Sequence, residues 1–382
     1  MTILSAFLLT PALLLPGGDK FVRRRSVLAA PVATTVMSQA SSATVAPSTF
    51  TFSMNELNVQ GAKVPVAIWQ PTPASAPSPT SYEYSINIGK IAQGLRVGWL
   101  GWLPSFGYNL PVNDAVPAPL PETFGRARAG DAVLFAHGFL GSPFDFAHAC
   151  EALASDGFVC IAPELPESLS ASFAGQGPEE GLTRDEILNA ARSLATTSYG
   201  ASGRWGIFGH SAGAGSARMQ GGTYALGRAM LCGGYRGYEG NDPSFIIASD
   251  GDGCNAFMAR SGVDLRGMMA QEASAGRPTT MFASAADAYS GGGKPSRRGA
   301  YIFQEGATEV AAGARLPCHI SFLWREVDDA MASLLSPFLP LAKLLGLFVL
   351  DFDVYLETRD ADATAAVVVP ALRRFFLSFS VL

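Results

Sequence analysis

The chain has 382 residues, of which 48% are hydrophobic, so it is long enough to bury one large core. Lysine and arginine total 27 and aspartate and glutamate total 32, which gives a net charge of -5. Apart from a short basic run near the N-terminus, no cluster of positive charge is present, so nothing in the composition favours nucleic acid as a partner. The composition favours a small-molecule partner instead.

Residues 1–48 have the composition of a cleaved targeting leader. An uncharged apolar run, ILSAFLLTPALLLP, comes first, followed by RRRS and a stretch rich in Ser, Thr and Ala with no acidic residue before Glu56. The two halves resemble a bipartite plastid leader, and the arginines resemble a twin-arginine signal for the thylakoid lumen. An ordinary secretory peptide with a disordered tail is the alternative.

The remaining residues, 49–382, are predicted to form one catalytic domain. Residues 50–70 alternate in polarity and indicate a starting hairpin. Residues 71–125, which begin with PTPASAPSPTS, are predicted to be an irregular, lid-like insertion. Within it the aromatic stretch 86–110 is either a lid or interfacial patch, or a helix packed on the core.

From Asp131 onward, apolar strand-like runs alternate with helical stretches. The predicted strands are AVLFAHGF, FVCIAPE, RWGIFGHS, RAMLCGG, SFIIASD and GAYIFQEG. The predicted helices lie in PFDFAHACEALASDG and TRDEILNAARSLATTSYG, the second with a capping box from Thr183 to Glu186. This alternation predicts an α/β fold with a mostly parallel sheet and helices on both faces.

The segment RWGIFGHSAGAGSARM contains the pattern Gly209-x-Ser211-x-Gly213, which is typical of a nucleophile elbow. A bare match means little in a chain with 41 glycines, but a predicted buried strand precedes Ser211 and small residues follow it. A serine on a sharp strand-to-helix turn needs glycines two positions before and after it. Ser211 is therefore the candidate nucleophile.

A serine hydroxyl becomes a good nucleophile when a histidine accepts its proton, and the chain has four histidines. His210 lies within the elbow, His137 follows a predicted strand, and His148 lies in the middle of a predicted helix. His319, after the last predicted strand, is the candidate general base. The alternative interpretation is that His319 has only a structural role.

The other site residues follow from the same logic. HGFLGS, at residues 137–142, lies where an oxyanion-hole loop is expected, so the backbone N–H groups of Phe139 and Ala212 are the candidate oxyanion donors. The loop after the strand in SFIIASD favours Asp250 and Asp252 as the acid. Asp252 is preferred because Asp250 directly follows the strand and is expected to shape the turn, and Asp250 and Asp287 are the alternatives.

The five cysteines match no zinc spacing and are too few for a disulfide framework. Cys254 is two residues after Asp252 and Cys318 immediately precedes His319. We therefore consider a Cys254–Cys318 disulfide that would link the acid and base loops.

These residues resemble those of the α/β-hydrolases, in particular the branch of platelet-activating-factor acetylhydrolases and chlorophyllases. The specific parts are HGF, ASDGFVCIAPEL and GHSAG, and the resemblance covers most of the chain after Ala132. It implies a serine esterase that cleaves a hydrophobic, lipid-like ester through Ser211, His319 and a carboxylate, without a metal or other cofactor. A chlorophyllase-type pigment ester hydrolase and a catalytically dead binding protein of the same fold are the alternatives.

The C-terminal part has two apolar stretches. Residues 334–350 could make a peripheral membrane contact or form a core or cap helix, and Pro337, Pro340 and Lys343 argue against a membrane span. Residues 360–376 are predicted to form a final helix with a kink at Pro370.

Overall fold

The structure is a computed structural model that describes residues 50–71, 80–89, 101–112, 125–168, 182–201, 203–234, 240–249, 251–254, 267, 274, 279–283, 300–303, 306–309, 316–344 and 351–380. The predicted leader, residues 1–48, lies outside the described residues. The same holds for the alternative acids Asp250 and Asp287, and for residues 90–100 of the aromatic stretch. Val45–Leu382 forms one compact unit.

The strands are, in chain order, β1 Phe50–Val59, β2 Ala62–Pro71, β3 Ser81–Asn87, β4 Ser105–Pro111, β5 Ala132–Ala136, β6 Val159–Pro163, β7 Trp205–His210, β8 Gly227–Leu231, β9 Ser244–Ser249, β10 Thr279–Ala283, β11 Ala300–Phe303 and β12 Gly306–Glu309. The α-helices are α1 Ala147–Ser155, α2 Arg184–Ser198, α3 Ala212–Met219, α4 Arg325–Leu335, α5 Leu339–Leu344, α6 Phe352–Thr358 and α7 Ala361–Ser380. Short 3₁₀ turns cover His319–Phe322 and Ser336–Phe338.

The main sheet has the strand order β1-β2-β6-β5-β7-β8-β9-β10-β11-β12. Strands β6, β5, β7, β8, β9 and β10 are parallel, while β2 pairs antiparallel with both β1 and β6. This arrangement is the α/β-hydrolase fold, as the sequence predicted.

The sheet is covered on both faces because its central strands are apolar on both sides. In β5, Val133 and Phe135 belong to one buried cluster and Leu134 and Ala136 to another, as the alternation of strand side chains requires. Helices α1 and α7 pack into the first cluster and α2 into the second. The prediction of helices on both faces is confirmed.

Two local signals in the sequence also predict the observed backbone. The β1–β2 hairpin turns at Gln60 and Gly61, both with positive φ (53° and 91°), as a tight two-residue turn needs. At the start of α2, the Thr183 side chain accepts the Glu186 N–H, and the Glu186 carboxylate accepts the Thr183 N–H. Both capping bonds of the predicted box are present.

The described part of the 71–125 insertion is more regular than predicted. Strands β3 and β4 form an antiparallel hairpin with its own two-stranded sheet. Every second residue of β3, namely Tyr82, Tyr84 and Ile86, is buried in the core, whereas Trp102 and Phe106 are exposed. The β3–β4 hairpin therefore has both buried and exposed aromatic residues. The sequence predicted either a lid or interfacial patch, or a helix packed on the core.

The sheet edge after β9 also differs from the predicted pattern. Strand β10, in TTMFA, was not predicted, because its first two residues are threonines and it lacks the continuous apolar run that marks β5 and β6. The predicted strand in GAYIFQEG is β11, and it runs antiparallel to β10 and to β12.

Helix α7 closes the fold and continues through Pro370. It is long and apolar enough to cross a membrane, but more than half of its apolar stretch is buried, and residues such as Leu372 and Phe376 belong to the core cluster on one face of the sheet. Arg373 also forms two 2.7 Å hydrogen bonds to the Asp156 carboxylate. These contacts are those of a core helix.

The preceding stretch, 334–350, is described as far as residue 344 and contains the end of α4, a 3₁₀ turn and α5. Phe338 and Leu344 are exposed there.

Candidate active site

Ser211 lies between β7 and α3 with φ 57° and ψ -120°. Residues other than glycine rarely adopt this combination of φ and ψ. The resulting backbone strain persists only where the surrounding structure enforces it. Here the Ser211 N–H donates to the Leu231 carbonyl on the neighbouring strand at 2.9 Å. The turn therefore has the backbone conformation of a nucleophile elbow.

The two glycines of the motif are required by close backbone approach. A Cβ atom on Gly209 would lie 2.1 Å from the Gly213 carbonyl oxygen, and one on Gly213 would lie 1.9 Å from the Ala136 carbonyl oxygen. Both clashes are with backbone atoms, which cannot move away as a flexible side chain could. The tight turn that raises Ser211 therefore depends on glycine at both positions.

The structure brings two of the predicted site residues into direct contact. His319 Nδ1 lies 3.0 Å from Asp252 Oδ1, and both side chains are buried. The same carboxylate oxygen accepts the Cys254 N–H at 2.8 Å, which fixes its orientation. Asp252 lies in the loop after β9, and His319 begins the 3₁₀ turn that precedes α4.

The charge of Asp252 alters the proton affinity of its partner. Burial alone lowers the pKa of His319, but the Asp252 carboxylate and the Cys254 sulfur oppose burial, and the net pKa lies well above 6.5. A negative charge in hydrogen-bond contact stabilises the imidazolium form. The pair is thus arranged to accept a proton on the histidine.

Ser211 is connected to His319 through its neighbour in the chain. His210 Nε2 lies 3.1 Å from the His319 carbonyl oxygen, and the two rings have centroids 4.7 Å apart. Among the described residues, Ser211 Oγ forms no hydrogen bond, including none to His319. Such nucleophile–base contacts are often loose in the absence of substrate.

The predicted oxyanion loop lies directly against the elbow. A Cβ on Gly138 would be 3.2 Å from Ser211 Cβ. Within the described chain, neither the Phe139 N–H nor the Ala212 N–H donates a hydrogen bond, so both donors remain free. The Phe139 side chain is 44% exposed.

His137 explains how this loop is held. Its Nε2 accepts the Leu165 N–H at 2.8 Å, so its Nδ1 carries the proton and donates to the Gly138 carbonyl at 2.8 Å. The Gly141 N–H donates to the same carbonyl at 3.2 Å. Because the C=O and N–H of a trans peptide point in opposite directions, fixing the Gly138 carbonyl also fixes the Phe139 N–H.

The remaining histidine, His148, lies in α1. Neither of its ring nitrogens has a hydrogen-bond partner within the described residues, and burial lowers its pKa to about 3. Its ring stacks on Phe146, with centroids 5.6 Å apart. His148 is therefore a neutral core residue.

The link between the acid and base loops is a carboxylate, and sequence analysis missed it. Asp351 Oδ2 accepts the Gly253 N–H at 2.6 Å and the His319 N–H at 3.1 Å. The hypothesised Cys254–Cys318 disulfide is not formed, since both cysteines are free thiols. Cys318 Sγ instead lies 3.0 Å from Ser321 Oγ. Asp351 could not be identified from the sequence, because it directly follows an apolar run and belongs to no recognisable motif.

Two groups of side chains in the described structure have the donor atoms of a metal site, namely Asp252, Cys254 and His319, and His210, Cys232 and His319. Both groups share the histidine that contacts Asp252.

No protein-family model matches the chain, and no curated protein sequence matches it. Among solved structures, it is similar to a cold-adapted esterase from an Arctic intertidal metagenomic library, with 14% identity and a TM-score of 0.34 over 62% of this chain and 85% of the esterase. It is also similar to a ferulic acid esterase from Streptomyces cinnamoneus, with 17% identity and a TM-score of 0.34 over 66% and 76% of the two chains.

A third similar structure is an α/β serine hydrolase without a lid from Xanthomonas campestris, with 12% identity and a TM-score of 0.30 over 61% and 83% of the two chains. At these identities the site must be interpreted from its own geometry.

Proposed function

We propose that this protein is a serine carboxylic ester hydrolase that acts through an acyl-enzyme on Ser211. The observation that carries the proposal is the 3.0 Å hydrogen bond between His319 Nδ1 and Asp252 Oδ1, formed beside the strained Ser211 turn. A carboxylate that orients a histidine near a serine on a sharp turn is the arrangement that activates a hydroxyl for attack.

In the proposed reaction, Ser211 Oγ attacks the ester carbonyl carbon while His319 accepts the hydroxyl proton. The charge that develops on the carbonyl oxygen is stabilised by the N–H groups of Phe139 and Ala212, which need no reorganisation because they are already free. His319 then gives its proton to the departing alkoxide, which leaves as the alcohol. A water molecule cleaves the acyl-enzyme by the same steps, with His319 as the base.

The proposed substrate is a hydrophobic, lipid-like ester. Its support is the exposed Phe139 side chain on the oxyanion loop, together with the exposed aromatic residues Trp102 and Phe106 of the β3–β4 hairpin. Exposed aromatic side chains favour apolar ligands and membrane interfaces. We therefore also propose a peripheral contact with a membrane surface.

The test is labelling with a fluorophosphonate probe, which reacts with an activated serine. We expect one adduct on the wild-type protein, none on Ser211→Ala, and an unchanged adduct on Ser193→Ala, because Ser193 is an exposed residue of α2. An unlabelled wild-type protein would instead indicate a binding protein with an inactive site.

The substrate class needs a second measurement. Wild-type protein and Ser211→Ala should be compared on short and long p-nitrophenyl esters, glycerolipids and chlorophyll. Preferential release of fatty acid from lipid supports the proposal, whereas preferential release of phytol would favour the pigment ester hydrolase.

We propose that the protein is located in a plastid, where the thylakoid lumen is one destination. Secretion is the alternative. The support is the composition of residues 1–48 alone. Imaging a fluorescent protein fused after residue 48 in plant or algal cells separates the two compartments.

A further inference from the structure

Three side chains with different donor atoms meet at the Asp252–His319 pair. The carboxylate of Asp252, the thiol of Cys254 and the imidazole of His319 each offer one atom, and these atoms all lie within 4.8 Å of one another. The proposed hydrolysis uses the carboxylate and the imidazole but gives the thiol no role.

Oxygen, sulfur and nitrogen donors together are typical of Zn²⁺ and of its softer relative Cd²⁺, and not of Mg²⁺ or Ca²⁺. In a tetrahedral zinc site, bonds of 2.0–2.3 Å place neighbouring donor atoms roughly 3.3–3.8 Å apart. The Asp252 and His319 donor atoms are already 3.0 Å apart. An ion therefore requires only small side-chain movements.

A second observation also indicates a cation. Asp252 Oδ2 is buried and accepts no hydrogen bond from a nitrogen or oxygen donor among the described residues. The Cys232 thiol beside Asp252 is only a weak donor. A buried carboxylate oxygen without a donor is costly, and a bound cation would compensate it. His210 and Cys232 form a separate donor group with the same histidine, so the Asp252 group supplies three protein ligands and leaves the fourth position of a tetrahedral ion to water.

Cys254 is the least buried member of the cluster. Asp252 and His319 are almost fully buried, while Cys254, in the same loop as Asp252, is half-buried. The side of Cys254 is therefore the side of the cluster nearest to solvent.

We propose that Asp252, Cys254 and His319 form a binding site for a thiophilic divalent cation such as Zn²⁺, and that the bound ion switches the protein off. On binding, the Cys254 thiol and the His319 imidazolium each lose one proton to water, the second being the Nδ1 proton that faces Asp252, and metal–sulfur and metal–nitrogen bonds form. The ion occupies His319 and Asp252, so the histidine can no longer take the Ser211 proton. The ion is thus an inhibitor of the reaction and takes no part in it; this inhibitory effect rests on the proposed hydrolase function, but the binding itself does not.

Cadmium binding tests the site directly. We expect the wild-type protein to show a cadmium–thiolate ultraviolet absorption band that saturates at one equivalent of Cd²⁺ and is displaced by Zn²⁺. The band should be lost in Cys254→Ala and retained in Cys150→Ala, in which the replaced thiol is buried in α1. Asp252→Asn should weaken Zn²⁺ binding by at least about tenfold, since one ligand loses its charge.

A band that persists in Cys254→Ala, or the absence of any band in the wild type, would overturn the site. Circular dichroism of each variant separates a lost ligand from a lost fold. Inhibition is measured as fluorophosphonate labelling with and without Zn²⁺, each variant relative to its own metal-free rate. A protein that shows the band but never reacts with the probe would retain the metal site and contradict only the hydrolase proposal.

Discussion

The Asp351 carboxylate accepts the backbone N–H of His319 at 3.1 Å, and the same oxygen accepts the Gly253 N–H at 2.6 Å. One side chain, 32 residues after His319, therefore joins the loop that carries the proposed base to the loop that carries Asp252. Neither Asp252 nor His319 lies on a strand or an α-helix, so the spacing of the two loops depends on such contacts. Ser249 Oγ adds a second link by donating to the Pro317 carbonyl at 2.6 Å.

We expect Asp351→Ala to lower kcat by roughly tenfold or more and to destabilise the fold, because it leaves two backbone donors without an acceptor at about 1–3 kcal/mol each. Asp351→Asn retains a carbonyl oxygen and should recover most of the activity. Thermal unfolding and ester turnover measure the two effects. Asp362→Ala is the matched control, since its ion pair with Arg325 is exposed and should change unfolding by less than about 1 kcal/mol. Equal losses in the alanine and asparagine variants would contradict a positioning role for Asp351.

Two glycines of α3 provide a paired test of the elbow. A Cβ on Gly213 would lie 1.9 Å from the Ala136 carbonyl oxygen, whereas a Cβ on Gly215 meets nothing within 4 Å. Gly213→Ala should therefore abolish probe labelling and strongly lower the melting temperature. Gly215→Ala should keep labelling and stabilise the helix by up to about 1 kcal/mol. A Gly213→Ala protein with wild-type stability would contradict the close approach of Gly213 to the Ala136 carbonyl.

Much of this fold could be predicted from sequence because its core strands are short apolar runs between glycine turns. The motif around Ser211 also specifies its own geometry, since both glycines face backbone atoms. The pairing of Asp252 with His319 was predicted from chain order, because Asp252 follows β9 and His319 follows the last predicted strand. These features depend on local patterns or on strand order.

What sequence could not predict depends on contacts between distant segments. Asp351 carries no motif, and its contact with Gly253 depends on how residues 316–344 bring the chain back to the β9 loop. The Cys254–Cys318 disulfide was hypothesised from neighbours in sequence, but proximity in sequence to Asp252 and His319 does not direct two thiols toward each other. The β3–β4 hairpin was missed because its aromatic residues are divided between core and solvent.

The pH dependence of activity should reflect the His319–Asp252 pair. A general base must be neutral, so activity of the free enzyme is lost as pH falls through the pKa of His319. Because that pKa lies well above 6.5, the acidic limb of kcat/KM should lie above 6.5 as well. Asp252→Asn removes the negative charge that stabilises protonated His319, while burial still lowers the pKa of His319. The acidic limb of this variant should therefore move to lower pH, and its maximal rate should fall by several orders of magnitude. The pH profile of Asp362→Asn should match the wild type; a wild-type limb at or below 6.5 would contradict the proposed pair.

The last prediction concerns His137, which holds the proposed oxyanion loop. Replacing it by phenylalanine keeps a ring in the core but removes the hydrogen bond to the Gly138 carbonyl, so the Phe139 N–H loses its fixed direction. We expect kcat to fall roughly 10- to 100-fold with little change in KM, because the donor acts on charge that exists only in the transition state. The control is the same substitution at His148, whose ring nitrogens have no hydrogen-bond partner in the described structure and whose loss should leave kcat unchanged. A merely structural role for His137 would lower the fraction of active protein without changing kcat per labelled site, so rates must be normalised to the fluorophosphonate titre. A normalised kcat equal to that of the wild type would show that the Phe139 N–H does not depend on His137.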